Sequence, residues 1–183
     1  MKDLIINACA QKLITMIKNF NTKSVMIVFL GNSKIFYDNF SSVVISVLNK
    51  NKSKLKSKNM KFYFCYARFG IYGKNYFKML SNVERFSGGI IFIDSGFCDK
   101  NDELGLLKIK HGFTKSVASI NTFKDKCCFE NDIYNDICER KDIISVLFNC
   151  ACFKDCVFVN EKLKNGIAKI LAQILMKVIS ESY

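Results

Sequence analysis

A chain of 183 residues, half of them hydrophobic, is long and apolar enough to bury one sizeable core, and residues 1–183 read as a single domain without a linker. Its longest apolar stretches run six or seven residues, far short of the roughly 20 that cross a bilayer, which excludes a membrane span. The net charge of +12 would ordinarily point to nucleic acid, but lysine far outnumbers arginine, proline and tryptophan are absent, and asparagine, isoleucine and phenylalanine abound, so the balance reads as an AT-rich codon bias and a nucleic-acid partner is not expected.

The opening segment reads as a helix, with Ile6, Ala10, Leu13, Ile17 and Phe20 at three- and four-residue steps on one face. Asp3 and Asn7 interrupt its apolar residues and no signal-peptide pattern is present, so a cytoplasmic location is expected. Ser24 to Leu30 then reads as a buried strand. Phe40, Val43, Val44 and Val47 return to helical spacing, and Asp38 stands where a helix N-cap would stand, completing a first βα unit. Lys50 to Lys61 has no periodicity and reads as a solvated loop before a second strand around Phe62 to Tyr66.

Gly70 and Gly73 mark a turn, and Tyr76, Phe77, Leu80 and Val83 suggest a short helix. A third strand, Ile90 to Ile93, follows and closes on Asp94. Strands alternating with helices predict an α/β fold, three-layered α/β/α with a mostly parallel central sheet. Leu104 to Lys110 alternates apolar and polar residues as a more exposed strand would. Between Thr122 and Cys156 the pattern is undecided, and Ile143 to Phe148 fits a strand or the middle of a helix equally. The chain ends in a helix whose expected apolar stripe is Leu163, Ile167, Ile170, Ile174 and Val178.

Nine cysteines, an odd number without a single C-x-x-C pair, match neither a disulfide framework nor common zinc spacings. Cys9 and Cys65 lie in apolar runs and read as small core residues. Cys150-x-Cys152-x-x-x-Cys156 reads as a partly buried segment in preference to a metal site. His111 is the sole imidazole, and a lone histidine reads as structural or solvent-facing. No metal and no cofactor is assigned, although a metal-assisted endopeptidase stays open as an alternative in which carboxylates and His111 would hold a divalent ion.

The chemistry concentrates on Asp38 and Asp94. If their strands are parallel neighbours, both carboxylates reach the crevice at the carboxyl edge of the sheet, where open α/β folds bind ligands. Two carboxylates sharing one site differ in proton affinity and supply an acid and a base together.

Read as one segment, Gly31-Asn-Ser-Lys-Ile-Phe-Tyr-Asp38-Asn-Phe-Ser-Ser42 resembles the G-T-D-R-S-T-G-D-x-x-G-P signature of YyaC-type spore proteases. Ile93-Asp94-Ser95-Gly96 resembles that family's I-D-A at the end of a central strand, Gly112 to Ser119 its G-P-L-K-P-G-A-G loop, and Phe158 to Leu163 its L-Q-N-T-R-L at the last helix. The family is similar in architecture to the spore germination protease, whose aspartate pair corresponds to Asp38 and Asp94, and to hydrogenase maturation endopeptidases, which have a phosphorylase/hydrolase-like fold. The resemblance implies a sporulation-associated peptidase acting on a protein or peptide in the sporulating cell or forespore. It also implies Asp38 and Asp94 as catalytic residues, with Gly31, Asn32 and Lys115 binding substrate.

Departures from the pattern fall in the same loops. Tyr37, Ser41, Ser42, Ser116, Val117 and Ser119 stand where the family has glycine or proline, and Tyr72 where it has histidine. Such replacements reshape loops, since glycine alone enters left-handed backbone freely. The alternative reading is therefore a catalytically silent relative that binds a peptide or protein. A third, nucleic-acid binding, would use the lysines between Lys50 and Lys61.

Overall fold

The computed structural model describes residues 2–35, 38–57, 59–67, 70–71, 74–98, 101–113, 135–152 and 157–182. In chain order these form α1 (Lys2–Lys18), β1 (Ser24–Phe29), α2 (Phe40–Lys50), β2 (Lys61–Cys65), α3 (Lys74–Glu84), β3 (Gly89–Cys98), β4 (Leu107–His111), β5 (Ile143–Cys152), β6 (Val157–Phe158) and α4 (Glu161–Glu181).

The expected mostly parallel sheet is present. Strand order is β2-β1-β3-β5-β4, with β6 paired to β5. β1 runs parallel to both β2 and β3, β3 runs parallel to β5, and β4 and β6 are antiparallel to β5. The undecided run at Ile143 is a strand, and a central one, with apolar residues facing both layers. A strand covered on both faces loses the alternation that marks a half-exposed one, so periodicity could not tell it from a helix.

Helices cover both faces of the sheet, which gives the three-layer arrangement. On one side α1 and α2 each pack on α4, and the three helices share a core with Ile27, Phe29, Ile91, Ile93, Val146 and Phe148. On the other, Tyr76, Met79, Leu80 and Val83 of α3 meet Val28, Ile90, Phe92 and Ile143. The rings of Phe40 and Phe148 stack at 4.4 Å and fix the start of α2 against the middle of the sheet. No helix among the described residues is long and apolar enough to cross a membrane.

Three expectations shift in detail. The third strand does not stop at Asp94 but continues to Cys98, because β5 extends beside it and keeps its backbone paired. The exposed strand after it is Leu107–His111. The stripe of the last helix is rotated over its first turns, where Leu163 is 46% exposed and Lys164, Ala168 and Leu171 face the core, while the expected Ile174 and Val178 are buried beside Leu175. Asn160 caps that helix, its side-chain oxygen accepting from the Leu163 N–H at 2.9 Å.

Candidate active site

From β1 the chain travels to β2 on one side and later returns to β3 on the other, so the crevice between β1 and β3 is a topological switch point. Open α/β sheets bind ligands at such a point, beyond the carboxyl ends of the strands. β1 ends level with Ile93 of β3, and the Leu30 N–H still donates to the Ile93 carbonyl at 2.8 Å. Asp94 is the next residue on β3, standing just past the end of β1. Asp38 arrives over the same point on the loop that leaves β1.

That loop is held tightly. Gly31 has φ of +118°, and a side chain there would collide with the Asp38 carbonyl and stand 3.0 Å from Asp38 Oδ1. Gly70, with φ of +93°, presses on the Gly31 carbonyl, and the Gly31 N–H donates to the Ile71 carbonyl at 3.1 Å. The N–H of Asn32 donates to Asp38 Oδ2 at 2.8 Å. Gly31 and Asn32, expected on the substrate side, thus both touch the first aspartate.

Asp38 is not the N-cap of α2. That position is Asn39, whose side chain makes no capping bond and instead accepts from Lys164 Nζ at 2.7 Å. The Asp38 carboxylate is spent across the loop and towards β3, where Ser95 Oγ donates to Oδ1 at 3.4 Å. The Ser95 N–H donates to Asp94 Oδ1 at 2.8 Å. One serine therefore contacts both carboxylates.

Burial disfavours the charged form of each acid. Asp38 is half-buried; burial raises its pKa to about 6 against the opposing pull of the Asn32 N–H and the Ser95 hydroxyl. Asp94 is 9% exposed; burial first and the neighbouring Asp38 charge second raise it to about 7, with the Ser95 N–H pulling down. Burial thus holds both carboxyls above the usual carboxylate range, and the deeper Asp94 also feels the charge of Asp38.

Sequence reasoning missed three neighbours. Ser95 stands in the sequence only as one position of the strand-end motif. Cys150 sits at a register shift between β3 and β5 and donates to the Gly96 carbonyl at 3.2 Å; burial, then the charges of Asp38 and Asp94, push its thiol up to about 12. It is no nucleophile near neutral pH. Lys164 is 1% exposed, and burial lowers its pKa against the pull of Glu161 and Cys150. The signal for Lys164 was its place four residues before Ala168 on the true apolar stripe.

Other candidates lie elsewhere. His111 is exposed and pairs with Ile144, three rungs of β5 back from Leu147, which is level with Asp94. Among the described residues no group of three His, Cys, Asp or Glu side chains is placed to hold a metal ion. Cys150 and Cys152 are buried in β5, and Cys9 and Cys65 are partly buried. Phe113 packs edge-on against Phe92 at 4.7 Å. Lys115, Tyr37, Tyr72 and Cys156 lie outside the described residues.

No protein-family model and no curated protein matches the chain. Among solved structures, the NiFe hydrogenase maturation protease HycI from Thermococcus kodakarensis KOD1 superposes with a TM-score of 0.48 and 12% identity, over 86% of this chain and 92% of that one.

Proposed function

We propose that the chain is a peptidase-like hydrolase of proteins or peptides, with Asp38 and Asp94 as its acid–base pair. The observation that carries this is the pairing itself: two aspartates far apart in sequence share Ser95 at the switch point of the sheet, and burial separates their proton affinities. Asp38, ionised and the more open of the two, draws a proton from water as its oxygen attacks the scissile carbonyl carbon. Asp94, protonated, donates to the carbonyl oxygen. Collapse of the tetrahedral adduct returns that proton to Asp94, breaks the C–N bond, and hands the proton held by Asp38 to the leaving amine.

The four motif resemblances to YyaC-type spore proteases support a sporulation role in the cytoplasm of the sporulating cell or forespore. Proteins of a spore extract are therefore the first substrates to try. Asp38→Asn and Asp94→Asn should each abolish a cleavage that the unaltered chain performs, with the fold retained by circular dichroism. Undiminished cleavage by either variant would remove the pair from the mechanism. The second reading, a silent peptide-binding relative, is favoured by Ser41, whose hydroxyl donates to the Leu30 carbonyl where the family pattern has glycine. It predicts that the unaltered chain retains peptides without cutting them.

A further inference from the structure

We infer that the free edge of β2 docks an extended acidic peptide by strand addition and leads it to the aspartate site. Among the described residues β2 ends the sheet and pairs only with β1. In a parallel ladder each residue turns its N–H and C=O to the same side, alternating along the strand. Lys61 donates its N–H to the Lys23 carbonyl at 2.8 Å, on the β1 side. The main-chain groups of Phe62 and Phe64 therefore turn outward and, among the described residues, meet no other strand, a template of the kind that accepts one.

The ground beside this edge is shaped and charged for one class of partner. A hollow of about 460 Å³ lies along β2, lined by Lys56, Lys61, Tyr63 and Ile179 among others. A second, also about 460 Å³, lies past its carboxyl end, between Tyr66 and Ala67 and the α2 residues Ser42, Ile45 and Lys50. Ser42 follows Asp38 by four residues, so the second hollow adjoins the loop that carries the site. Residues 50–67 contain six lysines and no acidic residue, and Lys50, Lys56 and Lys61 are exposed. Unsatisfied strand edge, apolar floor and one-signed rim together fit an extended chain bearing carboxylates. A nucleic acid would use the same lysines but has no use for the outward amides of Phe62 and Phe64.

Only the destination of the peptide rests on the acid–base reading; docking does not. Binding is accordingly measured on full-length Asp38→Asn protein, which separates it from turnover. The probe is a fluorescent ten-residue peptide alternating glutamate and valine, read by anisotropy. Expected are saturable binding that weakens with salt, at least a tenfold loss in the double variant Lys56→Glu with Lys61→Glu, and a similar loss when the peptide amides are N-methylated. Lysine in place of glutamate should abolish binding. Absent binding, indifference to N-methylation, or tighter capture of a single-stranded oligothymidine of equal charge would each overturn the proposal. Docking intact in a protein that never cleaves would count against the acid–base reading alone.

Discussion

The hydroxyl of Ser95 donates to Asp38 Oδ1 at 3.4 Å across 57 positions of sequence, while the N–H of the same residue serves Asp94. A single residue of β3 thus biases both acids towards ionisation, against burial that biases them the other way. The balance sets which acid gives up its proton first. Among the described residues Asp38 has two donors and Asp94 one, and Asp38 is the less buried.

Ser95→Ala tests this directly. Removing the hydroxyl takes away a donor that favours the ionised form of Asp38, so its pKa rises further, while the main-chain donor to Asp94 remains. The acid limb of the pH–rate profile should move to higher pH, and turnover near pH 6 should fall several-fold. A profile that keeps its acid limb would show that the hydroxyl does not act on Asp38.

Gly31→Ala should cost more than an ordinary glycine replacement. Position 31 has φ of +118° and no room for a side chain against the Asp38 carbonyl, whereas a side chain at Gly112, with φ of +83°, would meet none of the described residues within 4 Å. Gly112→Ala pays only for left-handed backbone, about 1 kcal/mol, while Gly31→Ala adds a clash and should cost about 2–3 kcal/mol. Urea denaturation of the two variants gives the comparison. Equal losses would mean that the loop yields without disturbing Asp38.

The apolar runs of β1 and β3 were legible because strands buried on both faces are nearly continuous in valine, isoleucine and phenylalanine, and the aspartates following them stand out against that run. The parallel pairing of those strands brought Asp38 and Asp94 together as expected. The role of Asp38 in its loop was not legible. An aspartate just ahead of a helix has the sequence signature of a cap whether its carboxylate turns back to the helix or forward to Ser95. Lys164 was hidden for a related reason: a lysine among leucines and isoleucines reads as the solvent face until an acceptor such as Asn39 is known to lie within reach.

Arg140→Ala should be the most destabilising change outside the core. Its guanidinium donates to the carbonyls of Val83 and Phe86 at the end of α3, to Gly88 before β3, and to both carboxylate oxygens of Asp142. These bonds close the end of a helix and the entry to the strand that carries Asp94. A loss of about 3 kcal/mol is expected, with little recovery in Arg140→Lys, because an ammonium cannot reproduce a planar fork. Thermal unfolding measures it. Near-complete rescue by lysine would reduce the contribution to charge alone.

The cost of holding Asp94 should appear in the pH dependence of stability. Its pKa is 3.8 in an exposed setting and about 7 in the fold, so between these values the unfolded chain releases a proton that the folded chain keeps. Stability from this group therefore falls as pH rises through that window and levels off above it. Asp94→Asn keeps the oxygen that accepts from Ser95 but cannot ionise, so it should leave stability near pH 4 almost unchanged and raise it near pH 8 by a few kcal/mol. Melting curves at the two pH values decide; equal effects at both would mean that ionisation of Asp94 is not what burdens the fold. The rate should peak in the interval where Asp38, at about 6, has lost its proton and Asp94, at about 7, still holds one. A carboxyl buried against its own stability is the form of acid that such a reaction needs near neutral pH, and the substitution that relieves the burden is expected to remove the activity with it.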